Sequence, residues 1–239
     1  IGDVRIATAD GRTATGAVLV YDAPTRKLLI DQDVAVGQGP SVLKGSRMIV
    51  DLATSVTSFP AGKRIQGHFV PRTSDKPQQA AGAPGRPQAV DLTGGARLDL
   101  SASRGKPLDI EADTLTIHDA EKQAVFGGNV VTRQGSMDMR SASLRVFYGG
   151  GEKSGEQQEA AASISKVRAE GSVLITTDKD QHVTSDWAHY DAASRIVTIG
   201  GNVVLTQREN VIKGERLVID LNTGRSRFED RDNVATNGR

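Results

Sequence analysis

The side chains able to do chemistry in this chain are four histidines and a set of recurring aspartates. An enzyme needs such groups to converge as acids, bases, nucleophiles or metal ligands. His68, His118, His182 and His189 do not pair as His-x-His or His-x3-His beside a carboxylate, the spacing that brings two imidazoles to one metal. His118 stands where the two other copies of its turn have Tyr21 and Tyr190, which reads as a turn or surface residue. His182 follows the polar run Asp178-Lys179-Asp180-Gln181 and is read the same way. Asp22, Asp119 and Asp191 recur at matching turns, each followed by Ala. That placing suits a carboxylate that accepts hydrogen bonds from nearby backbone N–H groups better than acid–base work. Gly127-Gly128-Asn129 and Gly149-Gly150-Gly151 lack the following Lys-Ser/Thr and helix of a phosphate loop. The sequence predicts no catalytic residue, no metal site and no cofactor.

Composition narrows the remaining classes. The 239 residues carry 30 Lys and Arg against 29 Asp and Glu, a formal net charge of +1, which argues against a nucleic-acid partner. Five Phe, three Tyr and one Trp leave few platforms for stacking bases or sugars. Without cysteine there are no disulfides, thiolate metal sites or cysteine nucleophiles. No run of 18 apolar residues offers a membrane-spanning helix. The chain opens at Ile1 without Met, as a processed or trimmed chain would. Glycine is abundant, 26 residues against 8 prolines, as expected for short strands joined by tight turns.

The elements that would position any site are strands, and they repeat. Gly2–Phe59 superimposes on Gly171–Phe228 without a gap, with Tyr21-Asp22-Ala23 on Tyr190-Asp191-Ala192 and Lys44-Gly45 on Lys213-Gly214. Asp51-Leu52 falls on Asp220-Leu221, and roughly 20 of about 58 positions agree, which marks a duplication. Inside it recur the signals Gly2-Asp3-Val4, Asp33-Val34, Gly128-Asn129-Val130, Gly171-Ser172-Val173 and Gly201-Asn202-Val203, each opening an alternating run. Val203 and Leu205 against Val204 and Thr206, or Met137 and Met139 against Asp138 and Arg140, show the period of a strand wet on one face. We read an all-β chain of more than a dozen short strands. The best helical stretch, Glu156–Ala162, is short and lies inside a polar insert, and Gly149–Gln158 reads as a Gly- and Glu-rich surface loop. Residues 1–70 form one β segment, 71–89 a Pro/Gly/Ala-rich linker, and 90–239 a larger β domain. By the duplication, segment 1–70 matches only the second half of that domain, so its own first half lies elsewhere.

Particular stretches carry a family resemblance. Pro107-Leu108-Asp109-Ile110-Glu111-Ala112-Asp113 and Val125-Phe126-Gly127-Gly128-Asn129-Val130-Val131-Thr132-Arg133 resemble the opening of the LptA/OstA-like lipopolysaccharide transport family. Asn210-Val211-Ile212-Lys213-Gly214-Glu215-Arg216-Leu217 is similar to its second signature, and Arg64–Pro71 to its tail. A tail-like segment thus precedes a complete unit, giving one and a half units. The resemblance implies an open-ended, twisted β-jellyroll, V-shaped in section, in the periplasm. Its function would be to bind lipopolysaccharide and shield the acyl chains of lipid A in an apolar groove. LptC and the periplasmic part of LptD share this architecture, so an LptC-like or LptD-like module remains the alternative, and an adhesin-like β-solenoid that binds polysaccharide is the alternative from another class. Leu108 and Ile110 match the family's lipid-contacting positions. Alternation adds Leu115, Ile117, Phe126, Val130, Met137, Met139, Leu144, Val146, Val173, Ile175, Val203, Leu205, Leu217 and Ile219. The expected partners are LptC-like and LptD-like jellyrolls and further copies of the chain, joined head to tail through unpaired end strands.

Overall fold

The structure, a computed structural model, describes residues 4–9, 11–70, 106–149, 164–178 and 180–229. The expected linker at 71–89, the stretch Glu156–Ala162 and nearly all of the insert lie outside these residues. Among the described residues the alternating runs become sixteen antiparallel strands in one sheet. The first segment contributes β1 (Val4–Ala7), β2 (Arg12–Gly16), β3 (Val18–Asp22), β4 (Lys27–Gln38), β5 (Ser41–Asp51), β6 (Val56–Phe59) and β7 (Ile65–Phe69). The second contributes β8 (Leu108–Ala112), β9 (Thr114–His118), β10 (Gln123–Gln134), β11 (Met137–Tyr148) and β12 (Ile164–Thr177). It closes with β13 (Gln181–Asp191), β14 (Ile196–Gln207), β15 (Asn210–Asp220) and β16 (Arg225–Glu229). The architecture is an all-β, open jellyroll.

Many of the expected short strands are halves of long ones. The Gly-Asn-Val signals stand in the middle of a strand, where the ladder slips: between Gly127 and Val130 in β10, Glu170 and Val173 in β12, and Gly200 and Val203 in β14. At each slip two consecutive residues have positive φ, for example 76° at Gly128 and 45° at Asn129, then 75° at Gly201 and 50° at Asn202. β4 does the same between Asp31 and Val34 through Gln32 and Asp33. Such a two-residue bulge bends the strand and redirects its second half. At two of these slips an aspartate holds the bend, Asp113 from the corner between β8 and β9 and Asp186 from β13. Asn129 Nδ2 donates to Asp113 Oδ2 at 2.8 Å, and Asn202 Nδ2 to Asp186 Oδ2 at 3.0 Å. Gly128 is required there, because a Cβ would lie 2.5 Å from Asp113 Oδ2 on a backbone that already favours glycine.

The bends divide the sheet into two ladders. One stacks β1, β2, the second half of β4, the first half of β5, β7, β8 and the corresponding halves of β10 to β15. The other stacks β3, the remaining halves of β4 and β5, β6, β9, the remaining halves of β10 to β15, and β16. Residues from both ladders share one hydrophobic cluster, with Ile30, Phe59, Leu115, Leu144, Ile199 and Leu217 nearly sealed from water. Each such side chain contributes roughly 1.5–3 kcal/mol by burial.

Strand pairing runs straight through the boundary between the two copies. β6 pairs with β9, Phe59 opposite Leu115, and β7 pairs with β8, Gly67 opposite Ile110. The duplication is visible bond by bond, since Leu52 N–H donates to Arg26 O and Leu221 N–H to Arg195 O, both at 3.0 Å.

Candidate functional site

The register builds continuous rows of inward side chains. On the first ladder one row reads Ile6, Ala14, Val36, Leu43, Gly67, Ile110, Thr132, Met139, Ile175, Val183, Leu205 and Ile212. On the second, Phe59, Leu115, Phe126, Leu144, Ala169, Ala188, Ile199, Leu217 and Phe228 follow one another. All sixteen residues singled out from the sequence fall on these inner faces. Ile110, Leu115, Phe126, Val130, Leu144, Val146, Val173, Ile175, Val203, Leu205, Leu217 and Ile219 are buried in the shared core. Leu108, Ile117, Met137 and Met139 are half-buried and packed against it, so they present the accessible part of the wall.

One ladder is more polar than its partner. Two residues outward from the aliphatic row lies a second row, Phe69, Leu108, Gln134, Met137, Thr177, Gln181, Gln207 and Asn210. Thr177 and Gln181 are buried there, and the Thr177 hydroxyl donates to Gln181 Oε1 at 3.2 Å. Thr132, 3% exposed, leaves its Oγ1 without a hydrogen bond. Sequence reading passed over these polar groups because it sought aliphatic positions. The signal was present, for Thr132 and Gln134 occupy the inward phase set by Val130.

The outer faces are charged. At the seam, Arg64 places Nη1 3.0 Å from Asp113 Oδ1, donates from Nη2 to Asn129 O at 2.8 Å, and lies 3.5 Å from Glu111. Arg133 donates to Glu111 at 2.7 Å, which with Arg64 nearby holds that carboxyl below its usual range. His68 Nδ1 lies 2.6 Å from Asp109 Oδ1 across the β7–β8 pair. Arg64 is the one residue in this network that sequence reading treated only as part of a tail.

The turn aspartates and the histidines hold structural places. Asp191 Oδ1 accepts from the backbone N–H and hydroxyl of Ser194, as expected of a turn carboxylate. Asp22 instead accepts from the Thr25 hydroxyl at 2.5 Å, and Asp119 from the Tyr148 hydroxyl at 3.3 Å. Burial, with Asp119 beside it, pushes the Tyr148 phenol up to about 12. The duplicated pair Asp51 and Asp220 does hold turn backbone, at Ala53 and Thr54 and at Asn222 and Thr223. His118 ends β9 opposite Val56 and His182 lies within β13 beside Thr176, so both belong to strands and not to turns. His189 stacks with Trp187, ring centres 4.5 Å apart, and burial followed by the Arg168 charge holds it below the usual imidazole range. Among the described residues no three His, Asp or Glu gather as a metal site.

The stacked rows agree with a family match. Residues 109–225, from β8 into β16, match the model of the LptA/LptD N-terminal domain of lipopolysaccharide transport proteins. Residues 109–225 are a domain of the LptA/OstA-like lipopolysaccharide transport family. The chain is 29% identical over 130 residues to an uncharacterized protein of Rhizobium meliloti, covering 54% of this chain and 69% of that protein. It is 30% identical over 135 residues to the LPS-assembly protein LptD of Neisseria gonorrhoeae, covering 46% of this chain but only 17% of LptD. Among solved structures it resembles LptH of Pseudomonas aeruginosa, the LptA-homologous periplasmic component of a lipopolysaccharide transport device. The TM-score is 0.45 at 17% identity, covering 58% of this chain and 93% of LptH.

Proposed function

We propose that the chain is a periplasmic bridge that binds lipopolysaccharide and shields the acyl chains of lipid A between its two ladders during passage from inner to outer membrane. The observation that carries this reading is the unbroken inward row that crosses the seam, aliphatic at nearly every register position from Ile6 to Ile212. Each methylene kept from water is worth about 0.8 kcal/mol, so a dozen represent roughly 10 kcal/mol, a barrier no acylated lipid crosses unaided through water. A wall of flexible aliphatic and Met side chains suits mobile chains and offers nothing to a flat sugar ring. Catalysis plays no part in this role. LptC-like and LptD-like jellyrolls would extend the same wall at either end by strand addition, and copies of the chain would join head to tail.

Photo-crosslinkers incorporated in cells test the trough. Residues at Leu108, Ile110 and Met139 are expected to capture lipopolysaccharide, while outward neighbours at Asp109 and Arg140 capture none. Equal capture from both faces, or none from the inner face, overturns the reading.

A further inference from the structure

Thr132 interrupts a row whose other members are aliphatic, Met or Gly. A buried hydroxyl without a partner keeps its full desolvation penalty, and Val would fill the same space without one. Thr177 and Gln181 in the neighbouring row satisfy each other, so among the described residues the buried side-chain group that calls for an occupant is the Thr132 hydroxyl. Gln134 lies two residues outward on the same face of β10, about 7 Å away along the strand. Met139 is the cross-strand partner of Thr132 and Met137 that of Gln134, so both polar groups sit beside half-buried, adaptable side chains that can move aside.

We propose that Thr132 is a specificity-determining contact for a hydroxylated acyl chain. The carboxyl end of the chain points outward, toward the rim on the Gln134 side. The hydroxyl on its third carbon exchanges a hydrogen bond with Thr132 Oγ1. This rests on the trough reading above and adds to it a preference among lipids.

The test compares binding of tetradecanoate and 3-hydroxytetradecanoate to the full chain by calorimetry. The wild-type chain is expected to bind the hydroxylated acid roughly three- to tenfold more tightly, the span of one neutral hydrogen bond. T132V is expected to bind both acids equally, and T132S to keep the preference. T132V should melt no lower than wild type, which separates lost recognition from lost folding. Equal affinities in the wild-type chain, or a preference that survives in T132V, overturn the proposal and leave the trough intact. A wild-type chain that binds neither acid nor lipopolysaccharide removes the trough and the proposal together.

Discussion

At the scale of single residues, the titratable groups act as structural fasteners, and this sets how stability responds to acid. Asp51, Asp191 and Asp220 are held below the usual carboxylate range, first by turn N–H groups: those of Thr54, Ser194 and Asn222 respectively. Their folded form favours the charged state, so the stability they add is present above the unfolded value and is lost as pH falls through the lower folded one. His189, also depressed, adds stability above the unfolded imidazole value that is lost as pH falls through its folded value. We expect the melting temperature to decline shallowly below about pH 6.5 and steeply below about pH 4. H189Q should remove the shallow limb, and D51A/D220A should flatten the steep one while lowering stability at pH 7, as read by thermal melts across pH. The sequence revealed the duplicated Asp51 and Asp220 but not their duty, because what a carboxylate accepts depends on which N–H groups the turn turns inward. Thr132 escaped notice for a similar reason, since a threonine looks alike whether or not its hydroxyl finds a partner.

At the scale of elements, the seam matters most. Arg64 from the loop before β7 reaches the Asp113–Asn129 bend of the next copy and the Glu111 of β8, so one side chain ties two strands and a corner together. R64E sets a carboxylate against Glu111 and Asp113, and amides of β7 and β8 are expected to exchange hydrogen several-fold faster. K63E is the control, because Lys63 meets Asp33 with both side chains largely in water and such a pair adds little. The residues that period-two alternation singles out lie in the shared core or packed against it. Alternation could not foresee the bends, since Gly-Asn-Val signals a positive-φ pair equally well at a strand start and in mid-strand. Nor could it choose β9 as the partner of β6, because strand partners are selected across sequence by packing and not by any local pattern.

At the scale of the whole molecule, both ends of the described sheet leave apolar side chains in water. Leu19, Val20 and Tyr21 on the end strand β3 are 41–53% exposed, and Val211 on the open half of β15 is 54% exposed. An edge with exposed apolar residues invites another strand. Sedimentation over a hundredfold range of concentration is expected to show growing head-to-tail species. V211K, or V20K at the other end, should raise the dissociation constant at least tenfold by placing a charge where the strands meet. A mass that stays monomeric throughout that range removes self-association from the reading.

The β7–β8 pair has one further consequence. Antiparallel neighbours need only a two-residue connection, yet 38 residues separate Phe69 from Leu108. No two-residue turn fixes that register, so the side chains must: Gly67 opposite Ile110 and His68 beside Asp109 hold β7 on β8. A seam held by its faces and not by a turn can be taken up by β7 of a second molecule with the same partners, residue for residue.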